Sequence, residues 1–213
     1  MISYSFFSFY IMHIILSPAK IQNFKPQFYN FEPTLPAYLK EANTLIQLIK
    51  QLSTSELSKL LQINSKLTQI NIDRYLHWHL PFSAENAKPA ALVFDGEVFR
   101  GLNFQTLTPE QSLYAGEKLT ILPGLYGCLR PTDLIQPYRL EVSSALAYKN
   151  GKDLYAFWKN KITQFIQNQM KASDDKDKIL LNLASSEYFK SIDTKKLKCR
   201  IIDIEFYEFK DDQ

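Results

Sequence analysis

Glycine is scarce in this chain of 213 residues, and four of its six glycines fall in two short runs. They are Gly96 and Gly101 in FDGEVFRGL, and Gly124 and Gly127 in LPGLYG. A residue without a Cβ is needed where the backbone takes positive φ or passes close to another group. The two runs therefore mark the sterically tightest places in the fold, as turns or as sites of close approach. Arg130 and Arg139, two of only five arginines, follow the second run, beside Tyr126, Asp133, Tyr138 and Glu141. Pro131 and Pro137 stiffen the chain around them. The planar fork of arginine suits phosphate or carboxylate, so residues 122–141 read as one wall of a polar cleft. An Arg139–Glu141 or Arg130–Asp133 ion pair that merely braces a loop remains the alternative.

Hydrophobic periodicity places these runs in a mixed α/β domain. His13–Leu16 reads as a buried strand stopped at Ser17-Pro18. Residues 37–52 have helical spacing through Leu45, Leu48, Ile49 and Leu52. Ser53 followed by Glu56 resembles a capping box for a second helix, and a third begins near Ser65 after Gln62-Ile63-Asn64. Ala90–Phe94 reads as a strand, with Asp95-Gly96 a tight turn into Val98-Phe99. Thr108-Pro109-Glu110 opens a helix, and Leu119–Leu122 is a strand feeding the LPGLYG turn. Asp153 caps a long helix to Met170, followed by a charged loop over 173–178. Ile179–Leu183 is a buried strand, Ser185–Phe189 a short helix and Arg200–Phe209 a strand.

The formal charge of +3 permits phosphate-rich partners without demanding them. Cys128 and Cys199 are too few for a disulfide framework and lack CxxC spacing, which points to a reducing cytoplasm. Cys128 interrupts an apolar sequence and reads as a packed thiol rather than a peroxide sensor. The opening MISYSFFSFYIMHIIL lacks the basic n-region of a secretory signal. It is also shorter than the roughly twenty apolar residues of a membrane span, so no stable membrane association is expected. His77 and His79, two apart, point away from one another on a strand or a helix, and no third ligand lies nearby. No metal and no cofactor are expected, and no Walker loop or nucleophile–base pair is present.

Four segments in order carry a family resemblance: LSPAK at 16–20, FDGEVFRGL at 94–102, LPGLYGCLRPTDLIQPYRLEV at 122–142 and NLASSEYFK at 182–190. Together they resemble the YaaA family of bacterial peroxide-stress proteins over residues 12 to about 205. The resemblance implies a single compact α/β domain of the cantaloupe fold with a helix–hairpin–helix element. It also implies a cytoplasmic protein that binds double-stranded DNA and limits iron-driven oxidative damage. The helix, short turn and helix of residues 53–75 match the hairpin element best, with Lys59, Asn64, Lys66 and Arg74 as the DNA-binding residues. LPGLYG is the rival placement. A hairpin of this kind offers N–H groups to phosphates and reads no sequence.

The polar residues of the four segments define a second expectation. Ser17 and Lys20 follow a strand, where α/β sheets commonly place ligand groups. Converging with Arg130, Tyr138, Arg139, Glu141, Asn182, Ser185, Tyr188 and Lys190, they would form a cationic cleft for a phosphate-bearing small ligand. An enzyme acting on a nucleotide or nucleic-acid phosphate there is the alternative to a non-enzymatic DNA-binding protein. Residues 1–11 read as an extra leader. The chain ends at Lys210-Asp211-Asp212-Gln213, without the basic C-terminal segment that the resemblance implies. Oligomeric state is not legible.

Overall fold

The computed structural model describes residues 12–148, 153–171 and 178–204. Strand β1 (Met12–Leu16) lies at the centre of a parallel sheet, because its apolar residues are covered on both faces. Three more strands complete that sheet in the order β3–β1–β5–β6: β3 (Leu119–Ile121), β5 (Ile179–Leu183) and β6 (Arg200–Asp203). Leu16 pairs with Ile121 on one side and Leu183 on the other. Burial alternates along β5, so this strand is only half-covered. A second sheet pairs β2 (Lys88–Pro89) antiparallel with β4 (Leu134–Ile135). The architecture is a mixed α/β domain.

Helix α1 (Leu39–Ile49) buries Ala42, Leu45, Ile46 and Ile49 on one face. α2 (Thr54–Leu61) opens on the expected capping box: Ser53 Oγ accepts from Glu56 N–H at 3.3 Å, and Ser53 N–H donates to Glu56 Oε2 at 2.8 Å. Gln62, with φ of 52°, turns the chain into α3 (Ser65–His77). α6 (Pro109–Lys118) has the Thr108 cap and the proline start that the sequence predicts. α7 (Leu154–Lys171) begins where Asp153 Oδ1 accepts from Ala156 N–H at 2.8 Å, and buries Trp158, Ile162 and Ile166. α8 (Ser186–Phe189) follows β5.

Two expected strands are helical. Ala90–Val93 forms α4 and Glu97–Leu102 forms α5, with Gly96 between them as an extended N-cap. A four-residue apolar run carries no period of its own, so tertiary contacts decide it. Ala90 N–H donates to the Asp133 carbonyl at 2.8 Å and Ala91 N–H to the Pro131 carbonyl at 3.0 Å, fixing the start of α4 on the arginine-bearing stretch. The strand expected over 200–209 is strand to Asp203, and its remainder lies outside the described residues, as do residues 1–11 and most of the 173–178 loop.

Candidate functional site

The chain leaves β1 toward β3 on one side of the sheet, and leaves β5 toward β6 on the other. The carboxyl ends of β1 and β5 thus form a topological switch point, where open parallel sheets form crevices. Ser17 and Ser185 meet there: Ser185 N–H donates to Ser17 Oγ at 2.9 Å, and the hydroxyls lie 3.4 Å apart. Lys20 and Glu187, from the segments that follow β1 and β5, line a cavity of about 180 Å³ together with Gln62, Arg139, Glu141 and Ser143 among others. Arg139 pairs with Glu141 at 3.3 Å, yet its Nε is buried with no hydrogen-bond partner among the described residues. Ser143 Oγ donates to Glu187 Oε1 at 2.7 Å.

The α2–α3 hairpin is one wall of this cleft. Leu60, Leu61 and Gln62 line the cavity, and the Tyr75 hydroxyl donates to the Arg139 carbonyl, tying α3 to the arginine loop. Burial lowers the pKa of the Arg74 guanidinium, and the like charge of Arg139 acts in the same direction. Arg74 donates to Asn71 Oδ1 at 3.3 Å. Lys59 and Lys66 are exposed on the same two helices, whereas Asn64 caps α3 through an Oδ1 that accepts from Leu67 N–H at 3.0 Å. The hairpin and cleft residues, separate sets in sequence terms, therefore meet at Arg74, Gln62 and Arg139.

Not every expected residue converges there. Tyr138 and Tyr188 are buried beneath the cleft; burial pushes both phenols up, and Glu141 adds to each shift. Asn182 shapes the end of β5, its Nδ2 donating to Asp203 Oδ1 at 2.8 Å and its Oδ1 accepting from Ala184 N–H at 3.0 Å. Lys190 is exposed just past α8. Arg130 lies elsewhere, 6.0 Å above the Phe165 ring and lining a different cavity. After β3 the chain doubles back, with Leu129 bridging Ile121 antiparallel, and this return carries Arg130 away from Arg139. Gln62, Ser143 and Glu187 complete the cleft; of these only Glu187 lies within a recognisable sequence segment.

Burial overturns the rival hairpin at LPGLYG, since residues 122–127 are all inaccessible. A Cβ at Gly124 would meet the Leu140 carbonyl oxygen at 2.4 Å, and Gly127, at φ of 70°, lies against the Trp158 ring. This turn is a packing element that fixes residues 140–142 behind Arg139. Cys128 is fully buried, and burial raises its thiol well above the ordinary range, consistent with a core thiol. His77 Nδ1 and His79 Nδ1 each bond a nearby carbonyl at 2.7 Å. Among the described residues no group of three or more His, Cys, Asp or Glu could hold a metal ion, and no helix is long and apolar enough to cross a membrane.

Comparison with known proteins gives this geometry relatives. A family model described as "Peroxide stress protein YaaA" matches residues 12–213. A UPF0246 protein of Polynucleobacter necessarius subsp. necessarius (strain STIR1) is 43% identical over 200 residues, covering 94% of this chain and 77% of the relative. A UPF0246 protein of Saccharophagus degradans (strain 2-40) is 44% identical over 200 residues, with the same coverage.

Proposed function

The chain belongs to the peroxide stress protein YaaA family, and on that premise we propose that it is a cytoplasmic protein that grips double-stranded DNA by its phosphates. The observation that carries this reading is the buried, unpartnered Nε of Arg139, in a cleft walled by the α2–α3 hairpin. Arg74 and Arg139 are held close enough to repel, a cost that a bound phosphate would offset. Lys20 adds a third cation at the switch point, with Lys59 and Lys66 on the hairpin flanks. These groups meet backbone charge and leave base edges unread, so binding is indifferent to sequence. Cations on the protein release those condensed on DNA. Ferrous ions are among the cations that condense there, and their displacement moves peroxide chemistry off the backbone. That is how phosphate binding would limit iron-driven damage.

The test is a gel shift on long duplex DNA at several salt concentrations. Lys20→Ala, Arg74→Ala and Arg139→Ala should each weaken binding, and each should lower the slope of log K against log salt by about 0.9. Full affinity in all three variants would sink the reading. The Ser143–Glu187 hydrogen bond, at 2.7 Å beside two cations, favours a second reading: an enzyme that transfers a nucleotide or nucleic-acid phosphate. Turnover of a nucleotide library, lost in Glu187→Gln with DNA affinity retained, would select it.

A further inference from the structure

The cavity that Arg130 lines has a different chemistry from the Arg139 cleft. It measures about 470 Å³, within the roughly 300–1,000 Å³ usual for small-molecule sites. It lies between α6, the 30–34 segment, Thr132 and the far end of α7 at Gln169. Phe31, Pro109 and Leu113 supply its apolar wall. Phe31 is fixed by edge contact with Phe104, ring centroids 5.3 Å apart, whereas Leu113 is 67% exposed. Gly116 lies on the wall beside Thr132, where a Cβ would make only an ordinary 3.6 Å contact with Thr132 Oγ1.

The two threonine hydroxyls of this cavity are committed to each other and to Asp133, whereas the Arg130 guanidinium is not hydrogen-bonded among the described residues. Thr34 Oγ1 donates to Asp133 Oδ1 at 2.6 Å, which makes Thr132 the donor in the 2.9 Å contact between the two threonine hydroxyls. Asp133 Oδ2 accepts from the backbone N–H of Arg130 at 2.8 Å. Asp133, the carboxylate nearest in sequence, thus has both oxygens occupied without touching the Arg130 side chain. Among the described residues the guanidinium makes no hydrogen bond and no ion pair; it lies 6.0 Å over the Phe165 ring and acts on Asp133 through its charge alone. An arginine stacked on an aromatic ring keeps its fork free for a planar anion. Glu32 and Glu117 stand on the same cavity and repel any anion, so a polyanion is excluded and a single negative charge is held only in direct contact with the Arg130 fork.

We propose that this cavity binds a small monocarboxylate with an apolar body. The carboxylate takes the Arg130 fork, and the aliphatic or aromatic body lies against Phe31, Pro109 and Leu113. The site is separate from the DNA-gripping cleft and carries no phosphate.

Calorimetric titration of the full chain with 3-phenylpropionate, hexanoate and the neutral 3-phenyl-1-propanol tests the proposal. Saturable binding of at least one carboxylate is expected, with the alcohol weaker by about tenfold, the loss of a charge-assisted hydrogen bond. Arg130→Gln should weaken the carboxylate by a similar factor. Leu113→Glu, at an exposed position that folding does not depend on, should also weaken it by placing a like charge at the apolar wall. Lys20→Ala should leave it unchanged. Three outcomes overturn the proposal: no saturable carboxylate binding, an alcohol bound as tightly as the acids, or unchanged affinity in Leu113→Glu. Should Arg130→Gln fail to melt cooperatively, the alcohol comparison and Leu113→Glu decide the matter.

Discussion

Two buried ionisable residues, His13 and Asp133, are displaced in opposite directions, and their effects on stability oppose each other over nearly the same pH range. Burial, helped by the charge of Lys118, lowers His13 from 6.5 to about 4, while its Nε2 keeps a 2.8 Å contact with Thr120 Oγ1. Burial raises Asp133 from 3.8 to about 6 against its bonds to Thr34 and Arg130 N–H. For His13 the unfolded chain binds more protons between these values, so its contribution to stability falls as pH drops from 6.5 toward 4. For Asp133 the folded chain binds more, so its contribution rises as pH drops from 6 toward 3.8. Each amounts to about 3 kcal/mol over its window. Urea melts from pH 7 to 4 should separate them. His13→Gln should gain stability relative to wild type as the pH falls, and Asp133→Asn should lose it. A variant whose stability tracks wild type across the range would show that its group titrates as it does in the unfolded chain.

At the scale of elements, what the sequence made legible depended on whether the signal was local. The caps at Ser53 and Thr108 and the Asp153 start are side chain to backbone contacts within four residues, and they stand where the sequence places them. Residues 90–102 did not, because Ala90 and Ala91 take their partners from Pro131 and Asp133, some forty residues on. The α2–α3 turn shows a conflict between local preference and position. Gln62 takes φ of 52°, a left-handed conformation that glycine adopts more easily, and it lines the cleft. Strain of this kind gathers where a side chain is needed. Gln62→Gly should raise stability by about 0.5–1 kcal/mol in urea melts, yet weaken duplex binding in the gel shift. Stability raised with affinity untouched would leave the Gln62 side chain without a role in the cleft.

The whole molecule explains why half of the candidate site was readable and half was not. Lys20, Arg139 and Glu141 lie in contiguous segments that flank strands, so strand ends and proline punctuation pointed to them. Gln62 and Ser143 join them by tertiary packing, which brings the α2–α3 turn and the chain after Glu141 to the same cavity, a placement that no single segment carries. Arg130 was grouped with Arg139 by proximity in sequence and separated from it by the antiparallel return at Leu129. The cleft sets Lys20 and Arg139 beside Glu141 and Glu187, so the local cation density on which polyanion binding depends would have to come also from Lys59, Lys66 and Arg74 of the hairpin. The proposed consequence is measurable without peroxide. Manganous ion condensed on duplex DNA gives a broadened resonance and free manganous ion a sharp one. Adding the chain at low salt should therefore raise the sharp signal in proportion to phosphates covered. Arg139→Ala should release less per molecule bound, and DNA saturated with wild-type chain should resist nicking by ferrous ion and peroxide more than DNA saturated with the variant. Equal release by the two proteins would remove the cleft from the phosphate contact, and release without protection would break the link between DNA binding and iron.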